Sequence, residues 1–377
     1  MSKIDQRESF TASKRIVVKI GSALLAHSEE GILRDRIATY CAQICDLVKD
    51  GYKVVVVTSG AVAAGMGRLG LQKRPSKINE LQAIAAVGQM NLMQAYEEDI
   101  GRLGRTSAMI LLTHEDFSNR QRYLNARSTL TRLLDLGVIP LINENDTVAT
   151  DEIRFGDNDT LSAFVTNLID ADLQIILTDV EGLMDKDPNI HDSAEVILKA
   201  PADDKSLERL SSDRTSALGR GGMLSKVRAA RLASRSGADT VIASGKIPGI
   251  LARIVSGEEI GTHLFVHKKS LRSRKRWIAD QLKPAGYVII DSGASEALSK
   301  GGASLLAVGV LGVYGDFERG DLIECRTEDA TVVAQGLVNY SSGDISNLKG
   351  LNSEKYSDKI EHVYENELVH CDNLVLV

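Results

Sequence analysis

The chain has 377 residues, 43% of them hydrophobic and 25% charged, with a formal net charge of −6. That length implies one large and one small domain, and the composition is that of a soluble globular protein, which excludes a disordered or fibrous chain. The first residues, MSKIDQRESFTASK, hold no apolar core for a signal sequence and no apolar run approaches membrane-spanning length, so a cytoplasmic location is expected. Cys41 and Cys45 stand four apart in a predicted helix, while Cys325 and Cys371 are isolated. No zinc spacing or disulfide framework follows, and reduced thiols are expected.

In chain order, apolar strand-like runs alternate with helix-length periodic segments over the first 270 or so residues. Strands are predicted at Arg15 to Ile20, Lys53 to Val57, Ala108 to Leu112, Val138 to Ile142, Leu173 to Leu177 and Thr240 to Ala243. Between them lie predicted helices at about Leu33 to Lys49, Asn79 to Leu103, Arg120 to Leu136, Thr160 to Ile169 and Met223 to Ser236, the second with a polar N-cap at Asn79. Continuous apolar strands separated by helices indicate a mostly parallel sheet covered on both faces, with ligands at the carboxyl ends of the strands. Those ends share a chemistry. Lys19-Ile20-Gly21-Ser22, Thr58-Ser59-Gly60, Asn143-Glu144-Asn145-Asp146 and Thr178-Asp179 all place small, polar or charged groups where an apolar run stops.

The stretch from Asn143 to Asp159 carries six carboxylates (Glu144, Asp146, Asp151, Glu152, Asp157, Asp159) against one cation, Arg154. Taken alone, such a segment is a solvated loop. Lys268, Lys269, Arg272, Arg274, Lys275 and Arg276, followed by Trp277, form a short basic stretch that is read as a helical linker with a solvated face. From Pro284 on, glycine-rich sequence with short β runs at Tyr287 to Ile290, Ser304 to Val308, Leu322 to Cys325 and Thr331 to Val333 indicates a separate β-rich domain.

Several patterns carry little. Gly65-Met66-Gly67-Arg68-Leu69-Gly70 fits G-x-G-x-x-G, but Thr58-Ser59-Gly60 already makes the turn after the strand, and no acid ends a following strand about 20 residues on. There is no P-loop run, no metal-ligand spacing among the histidines and no nucleophile elbow. A second glycine-rich stretch, Gly219-Arg220-Gly221-Gly222-Met223-Leu224-Ser225-Lys226, runs straight into a helix. Glycines allow close backbone approach to an anion and the helix start offers N–H groups, so this stretch is either an anion cradle or an ordinary loop.

Together the runs VKIGS (Lys19), VVTSGAV (Ser59, Gly60), INEND (Asn143 to Asp146), FGDND (Phe155 to Asp159), LTDVEGL (Thr178, Asp179), DKDP (Asp185 to Pro188) and GGMLSK (Gly221 to Lys226) resemble the glutamate 5-kinases. These are amino acid kinase-fold enzymes that phosphorylate the γ-carboxylate of glutamate at the start of proline biosynthesis. The resemblance covers almost the whole chain. It implies a three-layer αβα sandwich over about 15–267, a linker at 268–283 and a PUA-like domain at 284–377, with residues 1–14 as a tail.

It also implies roles. Lys19 and Lys226 would flank the migrating phosphoryl group, with Asp159 orienting both, and Gly21, Gly60 and Gly222 would offer backbone N–H groups to phosphate oxygens. Glutamate would lie against Ser59, Asp146 and Asn158, with Asn143 joining them; Asn158 could donate to a carboxylate while accepting from the ammonium. ATP would span Thr178, Asp179, the DKDP turn and Arg220, Gly221, Gly222, Met223, Leu224, Ser225 and Lys226. Mg2+ would bridge the phosphates with few or no protein ligands. A homotetramer, proline as feedback inhibitor and a glutamyl phosphate reductase as functional partner are further expectations. Arg220 stands where the family usually has a small polar residue, Ser225 where threonine is common and Arg154 where lysine is frequent, and neither arginine is assigned a catalytic role.

Two rival readings have their own signatures. One is a kinase of the same fold acting on aspartate or a nucleoside monophosphate, against which the motifs around Asp146 and Asn158 argue. The other is an RNA-binding protein, since PUA domains occur in such proteins. From Lys283 to Val377 there are 15 Asp and Glu against 7 Lys and Arg, a net of −8, the wrong sign for a phosphate backbone. No nucleic-acid or membrane partner is expected.

Overall fold

The computed structural model describes residues 8–27, 31–149, 158–186, 190–191, 193–212, 222–266 and 284–377. The chain divides into two compact units, Met1–Phe117 with Ala126–Lys269, and Ser118–Asn125 with Ser270–Val377.

In the first unit, strands β1 (Arg15–Ile20), β4 (Lys53–Thr58), β5 (Ser107–Leu112), β6 (Ile139–Glu144), β7 (Leu173–Thr178), β8 (Lys199–Pro201), β9 (Asp239–Ser244) and β10 (Thr262–Phe265) form one sheet. A two-stranded ribbon of β2 (Ala26–His27) and β3 (Gly31–Ile32) stands apart. The strand order in the large sheet is β5-β6-β4-β1-β7-β9-β10-β8, and every neighbouring pair is parallel except β9 with β10.

Alternation explains the layers. Ile16, Val18 and Ile20, Val54 and Val56, and Ile175 and Leu177 point to one core, shared with the Arg34–Lys49, Ile78–Arg102 and Ile250–Val255 helices. Ile176 and Ile242 point the other way, into a core shared with the Asn158–Leu168 and Met223–Ala233 helices. Apolar residues on both faces of a strand require cover on both sides, and the result is the αβα sandwich.

Three details depart from the sequence reading. The long helix begins at Ile78 after Lys77, with no side-chain cap. Asn79 instead accepts from the Glu80 N–H at 3.0 Å, inside the first turn. The glycine pattern at 65–70 belongs to a helix, Ala61–Leu69, which crosses the Ile78–Arg102 helix at backbone contact. A Cβ on Gly65 would lie 2.0 Å from the Ile84 carbonyl, and one on Gly88 1.8 Å from the Ala61 carbonyl. Finally, β4, β6 and β7 run one or two residues beyond their apolar stretches, taking Thr58, Asn143, Glu144 and Thr178 into the sheet.

In the second unit, β11 (Gly286–Ile290), β12 (Val310–Gly315), β13 (Leu322–Arg326), β14 (Val332–Leu337) and β15 (Leu374–Leu376) form a sheet in the order β12-β11-β13-β14-β15. Val288, Ile290, Phe317, Ile323, Cys325, Tyr340 and Tyr356 are among its buried core. The run Ser304 to Val308, predicted as a strand, makes only a single bridge from Leu305 to Val369 before Ala307–Gly309 tightens into a 3-10 turn. Leu305 and Ala307 are buried while Leu306 and Val308 are exposed, so the alternation is real but no neighbouring strand completes a ladder.

Candidate active site

The strand order brings four predicted strand ends to one edge, because β6, β4, β1 and β7 are consecutive and parallel. Strands preceding the acidic stretch lie on one side of β1 and those following it on the other, a topological switch of the kind that opens a crevice at the carboxyl ends.

The centre of that edge is a buried carboxylate. Lys19 in β1 places Nζ 2.6 Å from Asp159 Oδ1, and Lys226 places Nζ 3.0 Å from Asp159 Oδ2. Ser225 donates to the same Oδ2 at 2.6 Å. Lys19 and Lys226 are each 5% exposed and Asp159 is 1% exposed. Burial alone would push the Asp159 carboxyl pKa up; the charges of Lys19 and Lys226, with hydrogen bonds from Lys19 and Ser225, outweigh it and hold the group well below the usual carboxylate range.

Local structure produces this arrangement. Asp159 lies in the first turn of the Asn158–Leu168 helix, where a negative charge complements the dipole. Lys226 lies in the first turn of the Met223–Ala233 helix, where a cation is unfavourable by itself and Asp159 compensates. Two ammonium groups share one carboxylate, leaving a net positive charge in a water-poor setting, which suits an anion.

Asn158, one residue earlier, faces the other half of the edge. Its Nδ2 lies 2.7 Å from the Thr58 carbonyl, 3.0 Å from Ser59 Oγ and 2.8 Å from Asn143 Oδ1. Asn143 in turn donates from Nδ2 to Gln89 Oε1 at 2.6 Å. Thr58 is held from behind by Tyr96, whose hydroxyl is 3.1 Å from Thr58 Oγ1. The two hydrogens of Asn158 Nδ2 already face three acceptors, so the expected donation to a substrate carboxylate is corrected: Oδ1 is the atom of Asn158 left for a ligand, as an acceptor. Asp146, half-buried, sits in the turn that follows β6, where Asn145 accepts from the Val148 and Ala149 N–H groups.

On the opposite side, Thr178 ends β7 and its Oγ1 is 3.2 Å from Oδ1 of the exposed Asp179. Gly222 is the extended N-cap of the Met223–Ala233 helix, so Met223, Leu224, Ser225 and Lys226 form its first turn. One expectation changes here. The Gly21 N–H donates to the Leu177 carbonyl at 3.1 Å and is committed to that strand junction, not to phosphate. Asp185, at the start of the DKDP turn, accepts from the Glu195 N–H at 2.8 Å. Arg220, Gly221, Asp187, Pro188, Asp151, Glu152, Arg154, Phe155, Asp157 and Trp277 lie outside the described residues.

Gln89 was missed by sequence reasoning. The signal was available: it occupies the apolar stripe of the Ile78–Arg102 helix, among the buried Leu81, Ala85, Leu92 and Tyr96 at helical spacing. A glutamine in that phase must meet a polar partner inside.

Comparison with known proteins places this geometry. A model of the amino acid kinase family matches residues 14–244, and a PUA domain model matches residues 286–364. The chain is 52% identical over 371 residues to a glutamate 5-kinase of Pseudomonas putida, covering 98% of this chain and 100% of that one. It is 51% identical over 373 residues to a glutamate 5-kinase of Nitrosococcus oceani, covering 99% and 100%. A solved carbamate kinase of Giardia lamblia bound to AMP-PNP superposes with a TM-score of 0.50 at 15% identity, over 68% of this chain and 99% of that one, a likeness of fold alone. The chain therefore belongs to the amino acid kinase family and, within it, to the glutamate 5-kinases.

Proposed function

We propose that the protein transfers the γ-phosphoryl group of ATP to the γ-carboxylate of L-glutamate, giving glutamyl 5-phosphate and ADP, the first step of proline biosynthesis. The observation that carries this reading is the pair of buried lysines held on opposite oxygens of Asp159. A carboxylate oxygen of glutamate forms the new bond to phosphorus as the bond to the β-phosphate oxygen breaks. The nucleophile is ionised at neutral pH, its ordinary pKa being about 4.3, so no general base is required. Positioning and charge neutralisation then supply the catalysis.

Lys19 and Lys226 would meet the phosphoryl oxygens from two sides. The helix start at Gly222 to Lys226, with Thr178 and Asp179, would receive the nucleotide, and these groups fit a polyphosphate because they combine two lysines that outnumber their shared carboxylate with a glycine-led helix terminus. Magnesium, when bound, supplies further neutralisation of phosphate charge. Asp159 does not suit the role of metal ligand, since its oxygens are taken by Lys19, Ser225 and Lys226. Ser59, Asn143, Asp146 and Asn158 form the acceptor side, with Asp146 and the Asn158 Oδ1 facing the α-ammonium.

Residues 15–267 would be the catalytic domain, 268–283 the linker and 284–377 the PUA-like domain. The acyl phosphate product calls for a reductase as functional partner. Proline, which shares glutamate's ammonium and α-carboxylate, would inhibit by competing on the acceptor side. A cytoplasmic homotetramer completes the reading; among the described residues no helix is long and apolar enough to cross a membrane. A coupled assay of ADP release across glutamate, aspartate and a nucleoside monophosphate tests the assignment. Turnover with glutamate alone supports it, and equal turnover with aspartate overturns it.

A further inference from the structure

Gln174 interrupts the apolar run of β7 and is fully buried, as are Ser162 in the Asn158–Leu168 helix and Thr240 in β9. Their side chains form one continuous relay. Thr240 Oγ1 donates to Gln174 Oε1 at 3.0 Å, Gln174 Nε2 donates to Ser162 Oγ at 2.6 Å, and Ser162 Oγ donates to the Asp159 carbonyl at 2.6 Å. Apolar residues of similar shape would fill this space without the cost of desolvating polar groups. The relay ends on the backbone of the residue that holds both lysines.

The other ties of that turn leave it one freedom. Asn158 Nδ2 pins the start of the helix to the Thr58 carbonyl at the end of β4. Lys19 reaches Asp159 from β1, but through a flexible four-carbon stem that can follow the carboxylate as it moves. Ser225 holds Asp159 to the neighbouring helix and not to the sheet. A turn pinned to β4 alone can pivot about that point. The relay adds a second short tie, to β7 on the far side of β1, and a hydrogen-bonded tie is directional where apolar packing is not.

We propose that Gln174 and Ser162 are positioning residues for phosphoryl transfer: by tying the start of this helix to β7 they hold the Asp159 carboxylate, and through it the Nζ atoms of Lys19 and Lys226, where the phosphoryl group is met. Asn158 keeps its own tie to Thr58 when the relay is cut, so the acceptor side stays in place. The inference rests on the phosphoryl-side assignment above.

The test cuts the relay without leaving an orphaned polar group. Ser162→Ala, Gln174→Met and Thr240→Val combined replace every member by an apolar side chain of similar size, a change that is near neutral for stability. The urea midpoint of this triple variant should stay near that of wild type while kcat falls about tenfold or more, with KM for L-glutamate changed less than about threefold. Ser162→Ala alone strands Gln174 Nε2, so its midpoint should fall, yet its kcat should fall by the same factor as in the triple variant. Thr166→Val is the control, since Thr166 Oγ1 donates to the Ser162 carbonyl within the same helix at 2.7 Å; its kcat should stay within about twofold of wild type. Wild-type kcat in the folded triple variant overturns the proposal, and wild-type kcat in Ser162→Ala does so even if the triple variant fails to fold. A loss in Thr166→Val equal to that in Ser162→Ala overturns it as well, because any disturbance of the helix would then suffice. A wild-type protein that forms no glutamyl phosphate would instead remove the phosphoryl-side assignment itself.

Discussion

Asn158 and Asp159 are adjacent in the chain yet serve opposite halves of the site: Asn158 is bonded to Ser59 and Asn143, while Asp159 is bonded to Lys19, Ser225 and Lys226. Both stand in the first turn of one helix. The acceptor side and the phosphoryl side are thus built from one rigid piece of backbone, and their spacing is set by that turn.

Lys226→Ala should lower kcat by a few hundredfold, corresponding to roughly 3–4 kcal/mol of lost transition-state stabilisation. Steady-state kinetics checks it. KM for glutamate should change little, because Lys226 meets Asp159 on the phosphoryl side.

Asp146→Ala should raise KM for glutamate by about tenfold or more and leave KM for ATP within a few-fold, since it removes a counter-charge to the ammonium. Equal changes in both constants would contradict an acceptor-specific role.

Asp159 also has a pH signature. Its folded-state pKa is depressed, so its ionised form contributes stability that is fully present above the unfolded-state value of about 3.9 and is lost as pH falls through the folded-state value. The difference in urea-unfolding free energy between wild type and Asp159→Asn should therefore be constant from about pH 5 to 8 and shrink below about pH 4. A difference that grew on acidification would contradict the assigned ion pairs.

Gly65→Ala and Gly88→Ala should each destabilise the first unit by about 1–3 kcal/mol or more, because the added carbon meets backbone, which cannot swing aside as a side chain can. Urea unfolding of the intact chain checks this. Little loss in either variant would mean that the two helices separate easily.

Much of this architecture was legible in the sequence because fully buried parallel strands must be continuous apolar runs, and β1, β4 and β7 are such runs. The site was legible for a related reason: apolar runs ended in the charged or polar Lys19, Ser59, Asn143 and Thr178, and parallel topology gathers those ends. The misses have physical causes. The Ala61–Leu69 helix hid behind glycines that read as punctuation, since only the crossing helix shows why a side chain is forbidden there. Leu305 and Ala307 alternate with exposed neighbours as a strand would, and pairing depends on a partner the local sequence does not reveal. The commitment of the Gly21 N–H to Leu177, and of Asn158 Nδ2 to Thr58 and Ser59, depends on contacts between residues about 100 or more apart.

The most direct measurement is hydroxylamine trapping, in which an acyl phosphate is converted to a stable hydroxamate. With ATP, magnesium and L-glutamate the wild-type protein should form glutamyl hydroxamate at the rate of ADP release, and Lys226→Ala should lose both together. ADP release that proceeds without glutamate, or hydroxamate formation undiminished in Lys226→Ala, would contradict a phosphoryl transfer centred on the two lysines of Asp159.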